Sequence, residues 1–168
     1  MKILLLIDLQ CGFEASFELV DYLEQLDYAQ YDRVVATKFV NNENTLFYKN
    51  GYKDMMEENQ TKLLPIIENK VTDIIEKDTY IVPIKEIYKI VSKDDIENID
   101  IIGVETDACV LATMFALWDE QLDFTLLKAR TSGIYGIHEA AKLIMRRNLF
   151  FEMDEDSDVF HKIKDYFS

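Results

Sequence analysis

The chain has 168 residues, 49% of them hydrophobic and 30% charged, the length and balance of a single globular domain over residues 1–168 with a substantial core. Eighteen basic against thirty-two acidic side chains give a formal net charge of −14, which repels nucleic-acid phosphates and anionic lipid headgroups, so neither nucleic acid nor a membrane is an expected partner. Two cysteines, Cys11 and Cys109, are too few for a disulfide framework and are expected as reduced thiols in the cytosol. The aliphatic start stops at Asp8, too early for a signal peptide, and nothing else approaches the roughly 20 apolar residues of a membrane span.

Ile3–Ile7 is a continuous aliphatic run that predicts a strand covered on both faces, as in a parallel sheet. Ser16–Gln25 predicts a helix, with Phe17, Val20, Leu23 and the following Leu26 along one face. Arg33–Val40 predicts a second strand, broken by Asn41–Asn44, and Thr45–Gln60 a loop with a short helix. A third strand is expected over Thr79–Ile84, then an acidic helical turn at Lys93–Glu97 and a fourth strand at Asp100–Val104. Thr106–Gln121 is the strongest helix. Phe124–Leu127 predicts a fifth strand, Ile137–Arg147 a helix, Leu149–Phe151 a last short strand and Val159–Tyr166 a closing helix. Alternating strands and helices of this kind predict an α/β fold of three layers: an open, mostly parallel sheet with helices on both faces.

Ligands of open α/β sheets gather beyond the carboxyl ends of the strands, so the residues that follow each strand carry the chemistry. Asp8 follows the first strand, Lys85 the third, and Cys109 opens the helix after the fourth. A cysteine in the first turn of a helix meets unpaired N–H groups and the positive end of the dipole, which favour a thiolate, and a nearby lysine adds to this. Cys109 is thus expected to be the more reactive of the two thiols. Singly, each residue has a plainer reading: a core cysteine, a turn aspartate, a solvated lysine. A thiol, a carboxylate and an ammonium at one sheet edge are together the parts of a nucleophile, a base and an electrostatic organiser.

The motifs around these residues resemble those of the isochorismatase-like cysteine hydrolases, a superfamily that includes nicotinamidases. Leu6-Ile7-Asp8-Leu9-Gln10-Cys11-Gly12-Phe13 is similar to the family's opening, Lys85-Glu86-Ile87-Tyr88 to its lysine segment, and Gly103-Val104-Glu105-Thr106-Asp107-Ala108-Cys109-Val110 to its nucleophile segment. The resemblance implies a hydrolase of carbon–nitrogen bonds other than peptide bonds, an amidase acting on a small-molecule amide through a thioester. Cys109 would attack, Asp8 would move the proton and Lys85 would hold the charges. It further implies a cis peptide between Val104 and Glu105, an oxyanion hole made by the backbone amides of Glu105 and Cys109, and a homo-oligomer, which the apolar girth of the Ala108–Trp118 helix also suits. Nicotinamidases of the family carry an Asp-x-His and a further His near the end of strand two. Here the segment reads Lys38-Phe39-Val40-Asn41-Asn42, so neither a metal nor another cofactor is expected. Phe13, Phe39, Phe47 and Tyr135 are the candidate walls of the substrate site. The alternatives are an isochorismatase-type vinyl-ether hydrolase, which needs no cysteine, and a non-catalytic α/β binding module; a receiver domain lacks here the paired acids after strand one and the phosphorylatable Asp after strand three.

Overall fold

The computed structural model describes residues 1–130, 137–153 and 160–162. In chain order the elements are β1 (Lys2–Ile7), α1 (Phe17–Gln25), β2 (Arg33–Phe39), the short helices α2 (Leu46–Lys49), α3 (Glu58–Thr61) and α4 (Pro65–Glu68), then β3 (Asp73–Lys77) and α5 (Ile84–Ile90). There follow β4 (Asn98–Val104), α6 (Leu111–Asp119), β5 (Phe124–Arg130), α7 (His138–Leu149), β6 (Phe151–Met153) and β7 (Phe160–Lys162). The sheet order is β3-β2-β1-β4-β5-β7-β6. The first five strands run parallel, and β7 and β6 add an antiparallel edge beside β5.

β1 lies at the centre, which explains its unbroken aliphatic run: both faces are covered. Ile3, Leu5 and Ile7 pack with Ile84, Ile87, Val110, Met114 and Met145 on the side of α5, α6 and α7. Leu4 and Leu6 face the other way, against Leu19 and Leu23 of α1 and Ile67 of α4. The period-two alternation of a strand thus divides one hydrophobic run between two half-cores.

Four expectations need correction. The third strand is Asp73–Lys77, not Thr79–Ile84; Pro83 stands at the N-cap of α5, so the expected strand is a turn followed by a helix start. On α1 the buried residues are Leu19 and Leu23, whereas Phe17 is 82% exposed. The long helix begins with one wide π-helical turn over Thr106–Val110 before α6. Residues 160–162 form strand β7 within the expected closing helix; the remainder of that segment, like Tyr135, lies outside the described residues.

Candidate active site

The parallel strands β1, β3 and β4 end at the same edge and deliver three side chains to one point. Asp8 is the first residue beyond β1, with a φ of 54°, in the left-handed region that Asp tolerates better than most side chains. Its backbone N–H donates to the Thr37 hydroxyl at 3.0 Å. The same hydroxyl donates back to Asp8 Oδ1 at 2.6 Å, which fixes the carboxylate plane. Lys77, the last residue of β3, brings its Nζ to 2.7 Å from Asp8 Oδ2, and the two side chains are 0% and 1% exposed. The ammonium also donates to the Thr79 carbonyl at 3.0 Å and lies 3.6 Å from Cys109 Sγ. Burial of both ions is tolerated because each is hydrogen-bonded as well as paired.

Cys109 lies in the π-helical turn after β4, buried and facing this pair. The Val104–Glu105 peptide that leads into the turn is cis. His138 Nδ1 lies 2.8 Å from Thr106 Oγ1, tying α7 to the same turn. At β4 the chain passes so close to β1 that a Cβ on Gly103 would sit 2.9 Å from the Ile7 carbonyl oxygen, so the glycine permits the approach of the two strands behind Asp8 and Cys109.

The lysine of this cluster is Lys77 rather than Lys85. Lys85 is exposed in the first turn of α5, where its charge acts on Glu120, away from Asp8. The lysine does stand at the carboxyl end of strand three, but that strand lies one segment earlier than expected. Its sequence, Asp-Ile-Ile-Glu-Lys, looks solvated because β3 is a sheet edge with Ile74 and Glu76 facing outward. The aliphatic pair Ile74-Ile75 ending in a single lysine was the available signal.

The expected electrostatics of the thiol also reverse. Burial is the largest influence on Cys109 and the Asp8 carboxylate the next; together they outweigh Lys77 and hold the thiol well above the ordinary thiol range. The raised value favours the protonated thiol, with Asp8 as its hydrogen-bonding neighbour. Cys11 is exposed, its Sγ 3.6 Å from the Leu63 carbonyl.

Above the thiol opens a cleft of about 590 Å³. Phe13, Phe39 and Phe47 line it, joined by Tyr52 and Tyr80, which sequence reasoning did not single out. Phe39 and Phe47 meet edge to face at 4.9 Å, Phe47 and Tyr80 likewise at 4.7 Å. Gln10 braces this wall: its carboxamide accepts from the Phe39 amide at 2.8 Å and donates to the Phe39 and Thr61 carbonyls at 3.0 and 2.7 Å. At the end of strand two, Lys38 pairs with Glu76 at 3.6 Å, and Asn41 donates to the Tyr52 and Asp54 carbonyls at 2.9 and 3.1 Å, which holds the loop bearing Tyr52. Among the described residues no three His, Cys, Asp or Glu side chains gather as metal ligands, and no helix is long and apolar enough to cross a membrane.

No protein-family model and no curated protein sequence matches the chain. Solved structures do. The nicotinamidase PncA from Bacillus subtilis superposes with a TM-score of 0.71 at 19% identity, over 88% of this chain and 96% of that one. An isochorismatase-like hydrolase from Alkaliphilus metalliredigens gives 0.68 at 12% identity, over 86% and 90% of the two chains. A cysteine hydrolase from Pseudomonas syringae pv. phaseolicola gives 0.69 at 11% identity, over 88% and 85%. Likeness of this extent at such low identity is likeness of fold, and the chain has the fold of the isochorismatase-like hydrolases.

Proposed function

We propose that this protein is a cysteine-dependent amidase in which Asp8, Lys77 and Cys109 act on a small amide bound in the aromatic cleft. The observation that carries the reading is the convergence of a buried carboxylate, ammonium and thiol beneath that cleft, with Lys77 Nζ 2.7 Å from Asp8 and 3.6 Å from Cys109. Solved structures of the same fold that are named nicotinamidase and cysteine hydrolase support it.

The chemistry follows from the proton's position. As Sγ attacks the carbonyl carbon, its proton passes to Asp8, and the amide oxygen takes the negative charge. Lys77 offsets the charge that moves between carboxylate and sulfur, while the backbone amides of Glu105 and Cys109 are the donors assigned to the oxyanion. Collapse breaks the C–N bond, Asp8 returns the proton to the departing amine, and a thioester to Cys109 is left. Water then gives a proton to Asp8, attacks the thioester, and releases the acid while the proton returns to sulfur. A raised thiol pKa fits this order, in which deprotonation accompanies attack. The residues of strand two's end are engaged in the loop and supply no imidazole, so no metal is assigned a step. The enzyme is assigned to the cytosol as a homo-oligomer, a state that light scattering in solution tests.

Ammonia release from a panel of small primary amides, by wild type, Asp8→Asn and Cys109→Ala, tests the reading. Release by wild type alone is expected; equal release by Cys109→Ala overturns it.

A further inference from the structure

On the premise that Asp8 carries the proton in the amidase reaction just proposed, the direction its carboxylate faces decides how readily the Cys109 proton is taken. A carboxylate turns easily about its Cβ–Cγ bond, because torsions between sp³ and sp² atoms have broad minima. A single contact leaves that rotation open. The Lys77 ammonium, 2.7 Å from Oδ2, is one contact. The second comes from β2, where the Thr37 hydroxyl donates to Oδ1 at 2.6 Å. The same hydroxyl oxygen accepts the backbone N–H of Asp8 at 3.0 Å, and its one hydrogen is directed at the carboxylate. Thr37 thereby holds both the backbone and the side chain of Asp8, at a residue whose φ of 54° turns the chain out of β1.

The sheet supplies the register for this grip. Thr37 pairs with Ile75 and Phe39 with Lys77 across β2 and β3, so strand periodicity puts the hydroxyl and the ammonium on one face, where both reach Asp8. Branching at Cβ restricts the rotamers of Thr37, which is 0% exposed. Thr37 is not one of the cleft's lining residues, which places it to act through Asp8 rather than on the substrate. We infer that Thr37 is a positioning residue of the site: its hydroxyl, together with Lys77, locks the Asp8 carboxylate in the plane from which it serves Cys109.

Two pairs of proteins isolate the hydroxyl. Wild type differs from Thr37→Val by a methyl in place of the oxygen, and Thr37→Ser differs from Thr37→Ala by the oxygen alone; if Thr37→Val does not fold, the second pair carries the comparison. Crystal structures of the four report the carboxylate, and ammonia release from acetamide, propionamide and benzamide reports kcat and KM. In the hydroxyl-free member of each pair the Asp8 carboxylate is expected to rotate and kcat to fall about 10–100-fold, with KM within about threefold of its partner's. Thr37→Ser should keep the wild-type carboxylate plane and a kcat within about threefold of wild type. A carboxylate that stays in place without the hydroxyl, or a kcat preserved there, overturns the inference, as does a loss that falls on KM alone. Rotation of the carboxylate in the hydroxyl-free proteins, with no ammonia released from any amide by wild type, would count against the amidase reading alone.

Discussion

Replacement of Lys77 by methionine removes the ammonium and keeps most of the side chain's volume. Asp8, 1% exposed, is then left buried without its counter-charge, retaining the Thr37 hydroxyl at 2.6 Å. Because neither member of the pair is reached by solvent, screening does not soften the loss, and breaking such a pair costs about 3–5 kcal/mol. For a chain of this size each kcal/mol moves the midpoint by about 2–4 °C, so thermal unfolding should shift down by about 6–20 °C. Removing Asp8's charge as well, in Asp8→Asn/Lys77→Met, should recover part of that shift, since a neutral pair has no charge left uncompensated. Turnover should fall about 10²–10⁴-fold in Lys77→Met, the range for a misplaced acid–base group. Lys85→Met, at an exposed helix position, should stay within about 0.5 kcal/mol of wild type and keep its turnover. Scanning calorimetry and ammonia release on the four proteins check this. A Lys85→Met protein that loses activity while Lys77→Met keeps it would refute the assignment of the lysine.

Limiting iodoacetamide at neutral pH should label exposed Cys11 before buried Cys109, as peptide mapping would show; preferential labelling of Cys109 would contradict the raised thiol pKa. Folding holds the Cys109 proton more tightly than the unfolded chain does, so above the ordinary value of 9.0 the unfolded chain releases it first and stability falls as pH rises. Urea midpoints should therefore decline less steeply above pH 9.0 in Cys109→Ala than in wild type, and identical slopes would argue against this origin. Gly103→Ala places a methyl 2.7 Å from Ile7 Cβ and 3.0 Å from Val110 Cγ2, and should cost about 1–3 kcal/mol and reduce turnover; an unchanged midpoint would mean the strands part freely. Ammonia release should survive prolonged chelation, and loss with recovery on adding zinc or manganese would show a metal role that the strand-two residues do not predict.

Much of the site was legible because its residues sit where sequence patterns are strongest. β1 and β4 are buried on both faces, so their aliphatic runs announce both the strands and their ends at Asp8 and the Thr106–Cys109 turn. β3 is hidden because an edge strand exposes alternate side chains, and its Asp, Glu and Lys resemble a surface loop. The lysine is hidden with its strand, since Lys77 is recognisable as buried only once β3 is seen to run parallel to β2 beside Asp8. Tyr52 and Tyr80 join the cleft through loop geometry, held by Asn41 and by the turn after Lys77, which no periodicity encodes. Thiol acidity is not legible for a related reason: the helix start is visible in sequence, whereas the burial that outweighs it belongs to the packed site.

The central claim is that Cys109 becomes acylated with Asp8 and Lys77 beside it. Rapid acid quench of the enzyme during turnover of an amide that it hydrolyses, followed by intact-mass and peptide mass spectrometry, reads this directly. The predicted result is a mass increase equal to the acyl group on the peptide containing Cys109, absent from Cys109→Ala and strongly reduced in Lys77→Met. Ammonia release with no acyl adduct on that peptide, and at an undiminished rate in Cys109→Ala, would contradict the account.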